Sequence, residues 1–111
     1  DQIKDALGIR DVISSESAWT KKADDEDGMQ IDMLILRKDN VVNMCEIKFY
    51  SDDFVVDKEY YRTIQRRVEG LLSSIPRKMS VYSTLITSYG LKKNEYSGVF
   101  VKTITFDDLF K

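Results

Sequence analysis

The sequence predicts an α/β fold in which a mixed central sheet is flanked by helices. With 111 residues, the chain is long enough for one domain with its own hydrophobic core. Apolar residues make up 42% and charged residues 32% of the chain, as is usual for a globular protein. The predicted elements run β, β, β, α, β, β after an initial helix, and this order favours helices packed against a mixed sheet.

The N-terminal segment is predicted to contain a helix end, a strand and a polar loop. Residues 3–7 resemble the last turn of a helix, with Gly8 as its C-terminal cap. Because the chain opens on this helix tail without an initiator Met, we expect further sequence upstream. Residues 11–19 are predicted to form a strand ending on Trp19, which is interpreted as a packing anchor. Residues 20–27 are predicted to form a polar loop, whose acidic residues are interpreted as a solvated turn rather than as metal ligands.

Residues 31–49 carry the pattern of a β-hairpin. Two β-rich runs, residues 31–36 and 41–49, are separated by the polar segment 37–40. Because side chains alternate between the faces of a strand, Glu46 and Lys48 should share one face. Pairing of the two strands about the turn should then set Asp32 opposite Lys48, to within about one residue of register.

Two carboxylates and an ammonium would thus converge where a sheet normally buries apolar side chains, although burying charge is costly unless it is paired or binds a metal. One interpretation is an exposed sheet face with an ordinary ion pair. The other is a site for Mg²⁺ or Mn²⁺, with oxygen ligands from Asp32, Glu46 and the Ile47 carbonyl. Lys48 would then orient or deprotonate an attacking water, or neutralise a phosphorane-like transition state. The two carboxylates should repel each other, which should raise the pKa of one of them.

A helix is predicted over residues 57–73. Its apolar residues recur at intervals of three and four and form one buried stripe. Four basic residues fall largely off this stripe: Lys58, Arg62, Arg66 and Arg67. They form either a solvated helix face or a surface that contacts DNA phosphates, and a neighbouring metal site favours the second interpretation.

The C-terminal part is predicted to add two strands and a short helix. Pro76 ends the preceding helical region. Residues 78–87 are strongly β-like and are predicted to form a central strand. A loop over residues 92–98 should lead to a last strand at 99–106, followed by a terminal helix at 107–110.

Composition excludes several classes of function. Without histidine, the chain has neither imidazole catalysis nor the usual zinc sites. Its single cysteine, Cys45, precludes an internal disulfide and suits a reducing, cytoplasmic setting. The sequence contains neither an apolar run of about 20 residues that could cross a membrane nor a Gly-x-x-x-x-Gly-Lys-(Ser/Thr) loop for ATP. The net charge of −2 argues against a uniformly basic nucleic-acid binder, but residues 58–78 contain six basic and two acidic residues.

The hairpin motif resembles that of a known nuclease superfamily. Asp32 is separated by thirteen residues from Glu46-Ile47-Lys48, which resembles the PD-(D/E)xK motif without its proline. The preceding Gly28-Met29-Gln30-Ile31 is similar to the lead-in of Holliday-junction-resolvase-like and RecB-like members. Across nearly its whole length the chain resembles the C-terminal nuclease-like domain of bacterial and archaeal AAA-type ATPases. The stretches that carry this resemblance are Ser17-Ala18-Trp19, Gln30-Ile31-Asp32, Cys45-Glu46-Ile47-Lys48-Phe49, Thr87-Ser88-Tyr89-Gly90, Lys93-Asn94-Glu95-Tyr96-Ser97-Gly98 and Asp107-Asp108-Leu109-Phe110.

The resemblance implies a restriction-endonuclease-like αβββαβ core. Residues 1–111 would form one domain at the C-terminal end of a larger P-loop ATPase, with the first helix truncated. It further implies a Mg²⁺-dependent DNA endonuclease in which Asp32 and Glu46 hold the metal and Lys48 assists the water. Gln30, on the same face as Asp32 by alternation, would contribute more weakly. Many relatives add an acidic residue from the first helix.

Two other functions stay open. A weak or inactive nuclease-fold module could dock DNA or a protein and regulate the ATPase. The chain could also be a purely structural α/β domain with an incidental ion pair.

Overall fold

The structure is a computed structural model that describes residues 31–109. The predictions for residues 3–7, 11–19 and 20–27 therefore lie outside the described residues. The same holds for Gln30 and for the last residue of the predicted terminal helix, Phe110.

The described residues form an α/β fold with a four-stranded mixed sheet, which confirms the predicted fold class. One long helix and two short helical segments accompany the sheet. In chain order the elements are β1 (Met33–Leu36), β2 (Val41–Lys48), α1 (Lys58–Ser74), β3 (Ser80–Thr87), a 3₁₀ turn (Ser97–Val99), β4 (Lys102–Ile104) and α2 (Phe106–Leu109). None of the helices within residues 31–109 combines the length and the apolar character needed to cross a membrane.

The strands lie side by side in the order β1-β2-β3-β4. β1 pairs antiparallel with β2, whereas β2 with β3 and β3 with β4 pair parallel. A parallel pair needs a crossover connection, and α1 lies in the crossover from β2 to β3. β3 has a neighbour on each side, so the prediction that residues 78–87 contain a central strand is confirmed.

The register of the hairpin differs from the predicted one. Met33 pairs with Cys45 and Leu36 with Val42, and continuing this register sets Asp32 opposite Glu46 rather than Lys48. The reason lies in the turn, where the Arg37 amide donates to the Val41 carbonyl at 3.0 Å. Residues 38–40 thus form a three-residue loop that ends on Asn40 with φ 63°, a left-handed conformation that asparagine tolerates.

The last strand is shorter than predicted. Residues 97–99 form a 3₁₀ turn, and pairing with β3 covers only Lys102–Ile104 instead of residues 99–106. The chain is held before β4 by the Val101 amide, which donates to the Ser83 carbonyl at 2.9 Å. The β-type residues that precede Lys102 therefore do not extend the ladder with β3.

Helix α1 begins and ends where its sequence predicts. The Asp57 side chain accepts a hydrogen bond from the Tyr60 amide at 2.8 Å and caps the N-terminus. At the other end, Ile75 is extended because it precedes Pro76, and the helix stops at Ser74. Its buried residues, Ile64 and Leu71, belong to the larger of the two core clusters.

The sheet is buried on both faces, as expected when helices cover a mixed sheet. On the α1 face, Val42 and Met44 of β2 share a core cluster with Ile64 of α1. On the opposite face, Cys45 lies in a second cluster whose other buried members are Ile35, Ile86 and Ile104. Six consecutive residues of β2, 41–46, are consequently buried.

Candidate functional site

Glu46 places a carboxyl group inside the α1 face of the sheet. Only 1% of its surface is exposed. Its Oε1 accepts a hydrogen bond at 2.6 Å from Nη1 of Arg67, which reaches down from α1. Its Oε2 is buried and has no hydrogen-bond partner among the described residues. A buried carboxylate is thus paired through one oxygen and left without a donor at the other.

The protonation of Glu46 reflects this environment. The pKa of Glu46 is raised from 4.5 to about 7: burial is the largest cause, the Arg67 and Lys48 charges oppose it, and the nearby Asp32 carboxylate adds to the rise. The direction agrees with the sequence-based expectation that one of the two carboxyls should titrate high. Desolvation is nevertheless a larger cause than the repulsion between them.

Asp32 lies at the end of the β1–β2 ladder. Its Oδ2 accepts a hydrogen bond from the Ile47 amide at 2.8 Å. This side-chain oxygen thus continues the hydrogen bonding between the two strands at the point where the β1 backbone departs. In a strand, the amide and the carbonyl of one residue point to the same side. The Ile47 carbonyl is therefore directed toward the edge that carries Asp32, and the structure brings together the carboxylates and the carbonyl predicted as metal ligands.

Lys48 lies on the same face as Glu46, as the alternation predicts. Its ammonium is 5.3 Å from the centroid of the Tyr60 ring on α1. Its carbonyl accepts a hydrogen bond at 2.7 Å from Oγ1 of Thr87, which ties the end of β2 to β3. The ammonium is therefore held beside α1 at the carboxyl end of β2.

Tyr60 is a member of this cluster that sequence reasoning missed, because it was assigned to the apolar stripe of the helix. Its ring packs edge-on against Phe54, with centroids 5.4 Å apart, and lies 6.2 Å from the ring of Phe100. Its hydroxyl is buried without a hydrogen-bond partner among residues 31–109. Burial and then the Glu46 charge raise the pKa of Tyr60. The available signal was spacing, since residues seven apart, such as Tyr60 and Arg67, lie on one helix face.

The four basic residues predicted to contact DNA do not form one surface. Lys58, Arg62 and Arg66 are exposed and recur every four residues, which sets them along one side of α1. Arg67 is turned inward onto Glu46, and 13% of its side chain is exposed. Its pairing with Glu46 follows from the cost of leaving a buried carboxylate without a cation.

The side-chain oxygens of Asp32 and Glu46 and the Ile47 carbonyl fit a magnesium ion that is held by few protein ligands. Mg²⁺ is commonly bound through one or two carboxylates while it keeps several waters and shares substrate phosphate oxygens. Glu46 Oε2, buried and without a donor, is the oxygen best suited to such an ion, whereas Oε1 is engaged by Arg67. In the part of the chain that the structure describes, no three acidic or thiol side chains lie close enough to share a metal. The described ligand set is therefore two carboxylates and a backbone carbonyl.

Comparison of the chain with protein-family models, with curated proteins and with solved structures gives no match. The case for a function consequently depends on the geometry and chemistry of the Asp32–Glu46–Lys48 cluster.

Proposed function

We propose that this domain is a Mg²⁺- or Mn²⁺-dependent DNA endonuclease that hydrolyses phosphodiester bonds and is attached to a P-loop ATPase. The observation that supports it most is the buried Glu46 carboxyl, which has an oxygen without a donor and lies close to a second carboxylate, Asp32. Leaving a buried polar atom unsatisfied costs about 1–3 kcal/mol, so such an arrangement is typical of sites that bind a ligand.

Each residue of the cluster has a role in this proposal. Asp32 and Glu46, with the Ile47 carbonyl, would hold the metal, which supplies positive charge near the phosphate and lowers the pKa of a bound water. Lys48 would orient the attacking water or offset charge that develops on the phosphate. Its ammonium is 5.3 Å from the centroid of the Tyr60 ring, at the carboxyl end of β2, and its charge acts on the Glu46 carboxyl.

The DNA backbone would be bound by the exposed side of α1. Lys58, Arg62 and Arg66 present positive charge at helical intervals, and cationic side chains position a protein on nucleic acid through phosphate contacts. Arg67 lies apart from them and would reach phosphate only on leaving Glu46. The attachment to an ATPase comes from the family resemblance and is part of the proposal.

A second candidate function is favoured by the Arg67–Glu46 ion pair. The guanidinium engages a carboxylate oxygen that a metal would need for bidentate binding, and it neutralises the charge that attracts a cation. A domain closed in this way would dock DNA or a protein partner and regulate the ATPase without cleaving.

Calorimetric titration of Mn²⁺ and Mg²⁺ into the 111-residue chain separates the two functions. We expect binding to the wild type and its loss in Asp32→Ala and Glu46→Gln, because both changes remove an anionic ligand. Asp39→Ala, which removes an exposed carboxylate in the same hairpin, is the matched control and should bind as the wild type does. Circular dichroism of every variant checks that it is folded.

Cleavage of single-stranded, nicked and branched DNA should follow the same pattern with one difference. Lys48→Ala should retain metal binding and lose cleavage, whereas Glu46→Gln should lose both. Absence of metal binding by the wild type, together with metal-independent DNA retention in a gel-shift assay, would support the docking module instead. Equal cleavage by all variants would identify a contaminating nuclease.

A further inference from the structure

Glu46 Oε2 and Tyr60 Oη are the two buried side-chain polar atoms without a hydrogen-bond partner within residues 31–109. Other buried polar side chains on the same strands are paired, for example Asn43 with Thr84. Both unpaired atoms belong to the cluster around Glu46, since Lys48, on the Glu46 face of β2, holds its ammonium 5.3 Å from the centroid of the Tyr60 ring. Two unsatisfied atoms in one cluster indicate a place that a polar ligand completes.

The ring of Tyr60 is fixed by its surroundings. Phe54 packs against it edge-on, Phe100 lies 6.2 Å away, and the Lys48 ammonium is 5.3 Å from its centroid. Two side-chain torsions determine where a tyrosine ring and its oxygen lie. The contacts of the ring therefore also fix the position of the hydroxyl oxygen. The contact of the ring with the Lys48 ammonium joins Tyr60 to the candidate site.

The chemistry of the two atoms differs and defines the ligand. Glu46 Oε2 attracts a cation or a donor, whereas a neutral tyrosine hydroxyl can donate one hydrogen bond to an anion. A phosphate bound to a metal ion would satisfy both atoms. The metal ion would bind the carboxylate oxygen, and a phosphate oxygen would accept the hydrogen bond from the tyrosine hydroxyl. The Lys48 ammonium, 5.3 Å from the centroid of the Tyr60 ring, adds positive charge next to Tyr60.

We propose that the Tyr60 hydroxyl donates a hydrogen bond to a non-bridging oxygen of the phosphate held at Glu46 and Lys48, which makes Tyr60 a substrate-binding residue. This inference rests on the proposed function, because it places the scissile phosphate beside the metal ligands. It extends the site from the hairpin to the first turn of α1. The helix that carries the exposed basic residues would then contact the reacting phosphate as well.

Tyr60→Phe is the direct test, because it removes only the hydroxyl and keeps the ring that packs on Phe54. Tyr61→Phe is the matched control, since it removes the hydroxyl of the neighbouring residue, which accepts a hydrogen bond from Gln65 at 3.1 Å. In the presence of saturating Mg²⁺, the affinity for inorganic phosphate should fall about 10- to 100-fold in Tyr60→Phe, as expected for a hydrogen bond to a charged group. The affinity for Mn²⁺ alone should stay unchanged.

Unfolding in urea without ligand provides a second readout. Tyr60→Phe should be as stable as the wild type or more stable, because the hydroxyl it removes has no hydrogen-bond partner within residues 31–109. A loss of stability larger than that of Tyr61→Phe would show that the hydroxyl is structural and would overturn the inference. Equal phosphate affinity in Tyr60→Phe and the wild type, or no phosphate binding by the wild type, would overturn it too.

The inference and the proposed function fail in different experiments. If the wild type cleaves DNA and Tyr60→Phe does so with unchanged KM and kcat, the role of Tyr60 is refuted while the nuclease stands. If the wild type binds phosphate, Tyr60→Phe binds it more weakly and neither protein cleaves DNA, the phosphate site is supported and the hydrolase is refuted.

Discussion

Asn43 and Glu46 are both 1% exposed on the same strand, yet their environments differ in a way that separates structure from function. Asn43 faces away from α1, and its Nδ2 donates to Thr84 Oγ1 at 3.2 Å while its Oδ1 accepts from Arg37 at 3.3 Å. Glu46, three residues later, faces α1 with one oxygen bound by Arg67 and the other without a donor.

The comparison shows what a buried polar residue looks like when it serves packing and when it is available to a ligand. A neutral amide with both ends paired stabilises the pairing of β2 with β3 and leaves nothing for a ligand to satisfy. When only one oxygen of a buried carboxylate is hydrogen-bonded, the folded protein is less stable without a ligand than with one. The three changes that follow test this difference, from the largest expected effect to the smallest.

Arg67→Met should have the largest effect. It keeps much of the apolar stem but removes the cation that offsets Glu46, and breaking a buried ion pair from one side costs about 3–5 kcal/mol of the free energy of unfolding. The loss, measured by urea denaturation at pH 8.5, should shrink toward pH 6 because the stranded carboxyl then takes up a proton. Arg66→Met is the matched control on the exposed side of α1 and should change stability by less than about 0.5 kcal/mol. Similar losses in both variants would mean that Glu46 does not depend on its partner.

Asn43→Ala should have an intermediate effect that is independent of pH. The change removes the hydrogen bonds to Thr84 and Arg37, and two hydrogen bonds at about 0.5–1.5 kcal/mol each give a loss of about 1–3 kcal/mol. Urea denaturation at pH 6 and at pH 8.5 should give the same loss, because the change removes no ionisable group. A loss that depends on pH would show that the Asn43 and Glu46 environments are coupled across the sheet.

The pH dependence of wild-type stability should give the smallest change per pH unit. The folded-state pKa of Glu46, about 7, lies above its ordinary value of 4.5, so between these values the native state holds a proton that the unfolded state has released. Stability should therefore fall as the pH rises through this interval, by at most about 1.4 kcal/mol per pH unit for one proton, and should level off above it. The difference between the wild type and Glu46→Gln, measured by urea denaturation from pH 5 to 8.5, isolates this contribution. If that difference does not change with pH, Glu46 is ionised in both states.

Much of the fold within residues 31–109 follows from local patterns. Helix α1 was predicted over residues 57–73 and spans Lys58–Ser74, because a cap at Asp57, an apolar stripe and a following proline all act locally. The shared face of Glu46 and Lys48 follows from strand alternation alone. The register does not, since it depends on whether the turn holds two residues or three, and Asn40 at φ 63° decides that.

The candidate site divides in the same way. Asp32, Glu46 and Lys48 were recognisable because charged residues interrupt an apolar hairpin, and that interruption is visible in the chain itself. Arg67 was assigned to an outer phosphate-binding face and Tyr60 to the core, because helical periodicity specifies a side of the helix without specifying what it meets. The structure pairs Arg67 with Glu46 and places the Tyr60 ring beside Lys48, on the same side of the sheet.

The sequence by itself therefore determined helix α1, the strands of the hairpin, the faces of β2 and the identity of the charged hairpin residues, since these depend on neighbours a few positions apart. Only the tertiary structure decided that Glu46 is buried, that Arg67 pairs with it and that Tyr60 Oη has no hydrogen-bond partner among the described residues. The physical reason is that burial and pairing arise between β2 and α1, whose contacting residues Glu46 and Arg67 are 21 positions apart in the chain. Periodicity fixes the direction of a side chain, but the desolvation and the partner that set its chemistry come from the element packed against it.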